Sequence, residues 1–146
     1  ASYCAARNAT YEVGENAVCF IASAHTFDPS LGDFLATWIA GGCSVYAQRA
    51  VLFSHLGHIL SATTTTHLCC TPSLFATLAG TRHGQPSSLP HLQHVALGGE
   101  PTPPALASVW ASGPALRLWN TYGVTECCVY NTAHAVRPGD PPALIG

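Results

Sequence analysis

The residues best suited to chemistry lie in the stretch Asn120-Thr121-Tyr122-Gly123-Val124-Thr125-Glu126. It contains an aromatic ring that can stack on a flat base and an amide that can bond the edge of that base. It also contains a hydroxyl that can hold a phosphate oxygen and a carboxylate that can anchor a divalent cation. Gly123 lets the chain turn sharply where a side chain would obstruct it. These residue types together predict a nucleotide site.

Secondary-structure elements must position these residues, and short apolar runs predict the strands. The sequence predicts strands at 17–23, 43–47, 65–70, 94–97, 115–119 and 128–134. Helices are predicted from Ser30, over 51–60, from Thr71-Pro72 and over 102–111. In the first of these helices an apolar face follows the helical period, formed by Leu31, Phe34, Leu35, Trp38 and Ile39.

Strands alternate with helices about every 25 residues, which predicts an α/β fold with a three-layer, mostly parallel sheet flanked by helices. Ligands of such folds bind outside the carboxyl ends of the strands. Phe27-Asp28, Cys69-Cys70, Gly98-Gly99-Glu100 and the 120–126 stretch each follow a predicted strand directly. We therefore expect these four stretches to meet along one edge of the sheet.

The composition indicates an interior part of a larger protein. Only 8% of the 146 residues are charged, against roughly a quarter in typical soluble domains. The chain begins at Ala1, contains no Met and stops at Leu144-Ile145-Gly146, so we interpret it as a fragment. A net charge of −2, with five Arg and no Lys, leaves no basic footprint for nucleic acid. The apolar runs are too short to cross a bilayer, and no signal peptide is visible.

The seven Cys and eight His do not show metal-site spacing. Adjacent strand residues point to opposite faces, so Cys69-Cys70 and Cys127-Cys128 could each offer one ligand at most to a given ion. We expect mostly buried, free thiols in a reducing cytoplasm. The pairs His55/His58 and His91/His94 are expected to be surface or hydrogen-bonded core residues. The sequence contains no G-x-S-x-G elbow of the kind that indicates a hydrolase.

The 120–126 stretch resembles the N-x-Y-G-x-T-E motif of adenylate-forming enzymes, specifically the adenylation domains of nonribosomal peptide synthetases. Val124 stands where the family usually has Pro. Further matches follow the family's order and approximate spacing: F-D-x-S at 27–30, a T-P-S helix start at 71–73, G-G-E at 98–100 and the terminal Ile145-Gly146. The resemblance therefore covers nearly the whole chain.

The resemblance implies a role for each residue of the nucleotide site. Gly98 and Tyr122 would grip adenine from its two faces, with Gly99 and Gly123 beside them, and Asn120 would bond its edge. Thr125 would contact the adenylate phosphate, and Glu126 would hold Mg²⁺; these last two would act in catalysis. Glu100 is expected to be structural. Taken alone, Gly98-Gly99 is also typical of a tight strand-to-helix turn, and Glu126 of a helix start.

For the substrate, the resemblance implies that Asp28 pairs with the ammonium group of an α-amino acid. Asp28 could instead cap the following helix, but Ser30 is better placed to do so. The implied pocket is lined by Asp28, Pro29, Gly32, Cys69, Val95, Leu97, Thr121, Val129 and Tyr130. Apart from Asp28, this lining is apolar to mildly polar and contains no basic group. It suggests a neutral, apolar or aromatic amino acid.

The implied reaction joins an amino acid to ATP as aminoacyl-AMP, releasing pyrophosphate. The acyl group then passes to the phosphopantetheine thiol of a carrier domain, next to a condensation domain, in secondary metabolite biosynthesis. The family's phosphate loop would precede Ala1, and the ribose-binding Asp and the lid with its catalytic Lys would follow Gly146. Because the chain has no Lys, we expect the isolated fragment to be inactive.

Two alternatives stay open at this point. An acyl- or aryl-CoA ligase of the same superfamily shares the glycine-rich and Tyr-Gly-Thr-Glu parts, but its substrates give no reason for Asp28. A non-catalytic α/β interaction module would keep the shape without the chemistry. Nucleotide binding by variants at Tyr122 and Glu126 separates the module from the enzymes.

Overall fold

The computed structural model describes residues 2–113, 115–141 and 144–145. The helices are α1 (Ser2–Thr10), α2 (Asp28–Ile39), α3 (Arg49–Ala62), α4 (Pro72–Phe75) and α5 (Pro104–Trp110). The strands are β1 (Val18–Ile21), β2 (Cys43–Val45), β3 (His67–Cys70), β4 (His94–Gly98), β5 (Arg117–Tyr122) and β6 (Thr132–Ala135).

The strands form one sheet in the order β2-β1-β3-β4-β5-β6. Neighbours from β2 to β5 run parallel, and β6 runs antiparallel to β5. The prediction of a mostly parallel sheet flanked by helices is confirmed. β5 extends to Tyr122, so the first three motif residues lie within the strand rather than after it. The last strand begins only at Thr132, because Cys128 and Val129 adopt left-handed backbone (φ 70° and 72°).

The alternation of strand side chains divides the core between the two faces of the sheet. On one face, Leu68, Cys70 and Leu118 pack in a large cluster with the buried leucines of α3. On the other face, Cys19, Cys69 and Ala96 form a smaller cluster. Burial raises the pKa of Cys69 to about 12, so this thiol is neutral and inert at physiological pH. The expectation of mostly buried thiols fails for three residues that are exposed, namely Cys43, Cys127 and Cys128.

Helix α2 turns its small and polar residues inward, contrary to the face expected from the sequence. Gly32, Asp33, Ala36 and Thr37 are buried, whereas Leu31, Leu35, Trp38 and Ile39 are 42–67% exposed. The small residues face inward because α1, which the sequence analysis did not predict, packs closely against them. Two side chains of α1 bond directly to α2: Arg7 Nη2 lies 2.7 Å from Asp33 Oδ1, and Asn8 Nδ2 donates to the carbonyl of Ala36 at 2.8 Å.

The start of α2 also differs from the prediction that Ser30 caps it. The helix begins at Asp28, with Phe27 at the N-cap position and no side-chain cap. The hydroxyl of Ser30 instead donates to the carbonyl of Phe27 at 2.9 Å. By contrast, α4 begins at Pro72 as predicted, and Thr71 caps it, because its Oγ1 accepts from the backbone N–H of Leu74. No helix within the described ranges is long and apolar enough to cross a membrane.

Two histidines stack at the amino ends of β3 and β4, away from the carboxyl ends of the strands. The rings of His67 and His94 are 4.9 Å apart and parallel to within 3°. His67 Nε2 lies 2.8 Å from the carbonyl of Tyr11, and His94 Nδ1 accepts from the indole N–H of Trp119. His94 is therefore a hydrogen-bonded core residue, as expected, while His55 and His58 are exposed. Burial, with His67 beside it, lowers the pKa of His94 to about 4, and burial also lowers that of His67.

We expect His94 to lower the stability of the fold in mild acid, against the opposite contribution of Asp33, whose raised pKa makes the folded state take up a proton near pH 6. In the unfolded chain each His takes up a proton below about pH 6.5, whereas folded His94 does so only near pH 4. At this residue the unfolded state therefore binds more protons between these values, so the contribution of His94 to the free energy of unfolding falls as the pH drops through this window. The loss from His94 is on the order of 3 kcal/mol. Urea unfolding at a series of pH values measures it. The difference in unfolding free energy between His94→Gln and the wild type should change by this amount across the window, and that of the exposed His58→Gln should not; a constant difference for His94→Gln would contradict the assignment.

Candidate functional site

Two loops that are far apart in sequence meet at the carboxyl ends of the strands. The hydroxyl of Thr125, in the short 3-10 turn Thr125–Cys127, donates to Asp28 Oδ1 at 3.0 Å. Asp28 begins the helix after β1, and Thr125 follows β5. The structure thus places the predicted ammonium partner next to the predicted phosphate contact, on one edge of the sheet.

The other carboxylate oxygen of Asp28 is buried and has no hydrogen-bond partner among the residues that the structure describes. A buried carboxylate oxygen without a partner is unfavourable by several kcal/mol unless a cation or donor satisfies it. Asp28 therefore presents an acceptor for a positively charged or hydrogen-bonding group.

The turn after β5 depends on Gly123. A Cβ at this position would lie 1.9 Å from the carbonyl oxygen of Val129 and 2.5 Å from Cα of Tyr130, so only glycine fits. The returning chain then passes through the left-handed Cys128 and Val129, a conformation that is strained for a β-branched residue. Gly123 and this strained turn bring Val129 and Tyr130 back over the end of the sheet.

A cavity of about 370 Å³ lies beside the turn, within the range of small-molecule sites. Its lining includes Gly99, Tyr122, Gly123 and Ile145. The ring of Tyr122 is half exposed and free to stack on a planar ligand. Gly99 has a left-handed backbone (φ 84°) and no side chain to fill the space. The second residue of the terminal match, Gly146, lies outside the described residues.

Gly98 does not line that cavity; it is buried against β5. A Cβ on Gly98 would lie 2.4 Å from Thr121 Oγ1 and 2.8 Å from Tyr130 Cε1. The glycine is therefore required for the packing of β4 beside Thr121 and Tyr130. Of the two glycines, Gly99 is the one with access to a planar ligand, and the adenine contact that we predicted for Gly98 stays a prediction.

Asn120 is buried, and its side chain is engaged within the protein. Its amide donates to the carbonyl of Leu144 at 2.9 Å, and its Oδ1 accepts from the hydroxyl of Thr102 at 3.2 Å. These bonds tie β5 to the segment around Leu144. Asn120 also lines the cavity beside Tyr122, and its contact with the adenine edge stays a prediction.

Glu100 has the structural role expected for it. Its carboxylate accepts from both the backbone N–H and the hydroxyl of Ser73, near the start of α4. This contact joins the loop after β4 to the helix after β3.

Glu126 lies exposed on the 3-10 turn beside Thr125. Mg²⁺ is commonly held by one or two carboxylates together with substrate phosphates, so this carboxylate suits the ion only when a phosphate is bound with it. The described residues contain no cluster of three or more His, Cys, Asp or Glu that could hold a metal by themselves. Glu126 remains the predicted metal ligand.

The structure brings together most of the predicted substrate pocket on one face of the sheet. Gly32 lies against Val129, Tyr130 packs against the cluster that contains Cys69, and the Thr121 hydroxyl donates to the carbonyl of Leu97. Pro29 is buried in the first turn of α2, directly after Asp28.

The prediction that Val95 and Leu97 line the pocket is wrong. Their side chains pack in the large cluster on the opposite face of the sheet. Side chains alternate along β4, so Ala96 and Gly98 face Cys69 and Tyr130 in their place. The one-residue error arose because a fully buried strand is apolar on both faces, and its sequence does not tell them apart.

Three further residues at this site were missed by the sequence analysis. Tyr3 and Arg7 come from α1, and Asp33 follows Gly32 on α2. The Arg7–Asp33 ion pair is almost fully buried. Burial raises the pKa of Asp33 to about 6, against the opposing effect of Arg7. The only signal in the sequence was a carboxylate among the small residues of α2, which indicates a buried partner.

The whole chain, residues 1–146, matches the family model described as AMP-binding enzyme. It is 32% identical over 125 residues to Nonribosomal peptide synthetase 8 of Aspergillus fumigatus. This match covers 85% of this chain and 1% of that protein. It is 32% identical over 138 residues to Nonribosomal peptide synthetase 9 of the same organism, covering 92% of this chain and 12% of that protein. The chain thus spans a small part of the curated relatives that it matches.

Among solved structures, the fold is similar to that of the Vibrio cholerae adenylation domain AlmE in complex with glycyl-adenosine-5′-phosphate. The TM-score is 0.86 at 22% identity, and the match covers 94% of this chain and 26% of that one. At this level of identity the likeness establishes the fold alone.

Proposed function

The chain belongs to the AMP-binding enzyme family, and from this premise we propose that it is part of an adenylation domain that activates an amino acid. The parent protein, meaning the longer protein of which the chain is a part, forms aminoacyl-AMP from ATP and an amino acid in nonribosomal peptide synthesis. The similarity to two synthetases supports this proposal. The exposed apolar face of α2, formed by Leu31, Leu35, Trp38 and Ile39, supports the part of the proposal that places the chain within a larger protein.

The observation that carries the proposal is the carboxylate of Asp28. One oxygen accepts from Thr125 and the other is buried without a partner in the described part of the chain. The ammonium group of an amino acid supplies the missing cation. A carboxylic acid without an amine would leave this oxygen unsatisfied, so the geometry favours an amino-acid adenylating enzyme over an acyl- or aryl-CoA ligase.

In the proposed mechanism the residues bind and orient the reactants. Tyr122 and Gly99 hold the base of ATP, while Asp28 fixes the amino acid beside Thr125, whose hydroxyl can turn to a phosphate oxygen. Glu126 would hold Mg²⁺, which supplies charge stabilisation at the phosphates when bound. The turn built on Gly123 sets the distance between the two substrates.

The other parts of the proposal concern the parent protein. Residues 1–146 form a partial adenylation domain, with the phosphate loop upstream and the mobile lid downstream in the parent. Its partners are a carrier domain with a phosphopantetheine thiol and a condensation domain, and it acts in the cytoplasm without binding nucleic acid or membrane. Because the chain contains no Lys to stabilise the developing charge, residues 1–146 alone are expected to be inactive.

Amino-acid-dependent ATP–pyrophosphate exchange by the parent protein tests the proposal. We expect exchange with the wild type, and Tyr122→Ala should weaken ATP binding about tenfold because a base-stacking ring is lost. Glu126→Ala should weaken ATP binding only when Mg²⁺ is present. Tyr46→Ala is the matched control. Tyr46 is also exposed, but it follows β2, the outermost strand on the side of the sheet away from β5. Unchanged ATP–Mg²⁺ binding in both site variants would favour a non-catalytic module.

A further inference from the structure

The space beside Gly32 is filled by a side chain from α1. A Cβ built on Gly32 would lie 3.0 Å from Cε1 and 3.4 Å from the hydroxyl oxygen of Tyr3, and 3.1 Å from Cγ2 of Val129. The first and last of these distances are shorter than ordinary contacts between carbon atoms, so Tyr3 stands where a longer side chain at position 32 would extend. Although Gly32 has no side chain, the pocket is not deeper at this position, because Tyr3 fills the space.

Tyr3 is held in this position by contacts on the same face of α1. Arg7 lies four residues further along the helix, so its side chain is on the side of Tyr3. It forms the buried 2.7 Å ion pair with Asp33, the residue after Gly32. Asn8 bonds to the carbonyl of Ala36 one turn later on α2. These contacts fix α1 against α2 and leave Tyr3 little freedom to move away from Gly32.

The surface that Tyr3 offers is uncharged. Its hydroxyl oxygen is buried and has no hydrogen-bond partner in the ranges the structure describes. Burial, followed by the charge of Asp33, raises the pKa of Tyr3 above its ordinary value, so the hydroxyl is neutral at physiological pH. Beyond the ring, Arg7 and Asp33 already neutralise each other. A charged substrate side chain would find no counter-charge there.

We infer that Tyr3 is a specificity-determining residue: its ring closes the amino-acid pocket at Gly32 and restricts the substrate to amino acids with short, uncharged side chains. This inference rests on the proposed function, because it assumes that the pocket beside Asp28 holds the amino acid. It also replaces the expectation, drawn from the lining residues alone, of a pocket that admits aromatic side chains.

Exchange assays of the full-length parent with alanine, serine, phenylalanine and tryptophan test the inference. The wild type should prefer alanine or serine. Tyr3→Ala should raise kcat/KM for phenylalanine relative to alanine by about tenfold or more, because the pocket gains the volume of a ring. Tyr3→Phe keeps the ring and should keep the wild-type ranking. A wild-type preference for phenylalanine or tryptophan would overturn the inference, as would an active Tyr3→Ala variant with an unchanged ranking.

A double variant fills the space that Tyr3→Ala leaves empty with a side chain from α2. Gly32→Phe alone should collide with Tyr3 and lower exchange with every amino acid, whereas Gly32→Phe combined with Tyr3→Ala should restore the preference for short side chains. This double variant keeps the space filled, so it decides the matter if Tyr3→Ala does not fold; a double variant that prefers large side chains would contradict the inference. ATP binding should stay unchanged in Tyr3→Ala and in the double variant. Absence of exchange with any amino acid in the wild type would instead refute the proposed function.

Discussion

Asp28→Asn in the parent protein is expected to lower kcat/KM for the amino acid by about 100-fold, with little change in ATP binding. The variant keeps the shape of the side chain and an oxygen that can accept from Thr125, whose hydroxyl lies 3.0 Å away. It removes the charge that would pair with the ammonium group. Truncating one partner of a buried charge pair commonly costs about 2–5 kcal/mol, which corresponds to roughly 30-fold to several-thousand-fold in a binding constant.

A substrate without its ammonium group makes this test sharper. The wild type should discriminate strongly against the deaminated acid, and Asp28→Asn should lose most of that discrimination, because the variant and the altered substrate remove the same interaction. Glu15→Gln is the control, since Glu15 is exposed and precedes β1, at the opposite end of the sheet from Asp28. Equal losses for the amino acid and for the deaminated acid would show that Asp28 acts on the fold and not on the ammonium group.

The sheet could be predicted from the sequence because its strands are short apolar runs bounded by turn residues. β1, β3 and β4 are buried on both faces, so their positions were clear in the sequence. The meeting of Asp28 with the turn at Thr125 followed from the rule that parallel strands end at one edge. This part of the candidate site could be predicted from the order of the strands and their parallel direction alone.

Choices between two faces could not be predicted in the same way. Val95 and Leu97 are as apolar as their neighbours, so nothing local indicated that Ala96 and Gly98 face the pocket. On α2, periodicity identified the apolar stripe but not whether the stripe faces the sheet. That is decided by α1, a short and mostly polar helix whose partner lies 26 residues away in sequence.

The buried ion pair between α1 and α2 gives the largest expected effect on stability. Asp33→Leu leaves the guanidinium of Arg7 buried without its partner, and arginine cannot lose its proton to escape the cost. We expect a loss of about 3–5 kcal/mol in local stability. Hydrogen exchange of the peptides that cover α1 and α2 in the parent protein measures it, with the exposed Glu15→Leu as a control for the removal of a carboxylate.

The two partners of the pair should differ in how pH changes the effect of removing them. In Arg7→Met, the stranded Asp33 can take up a proton, because burial already raises its pKa to about 6 beside Arg7 and removal of Arg7 raises it further. The cost of Arg7→Met should therefore shrink as the pH falls from about 7 to about 5, whereas that of Asp33→Leu should not. The combined variant leaves no buried charge and should recover most of the lost stability. A combined variant as unstable as the sum of the single ones would show that packing, and not the charge pair, joins the two helices.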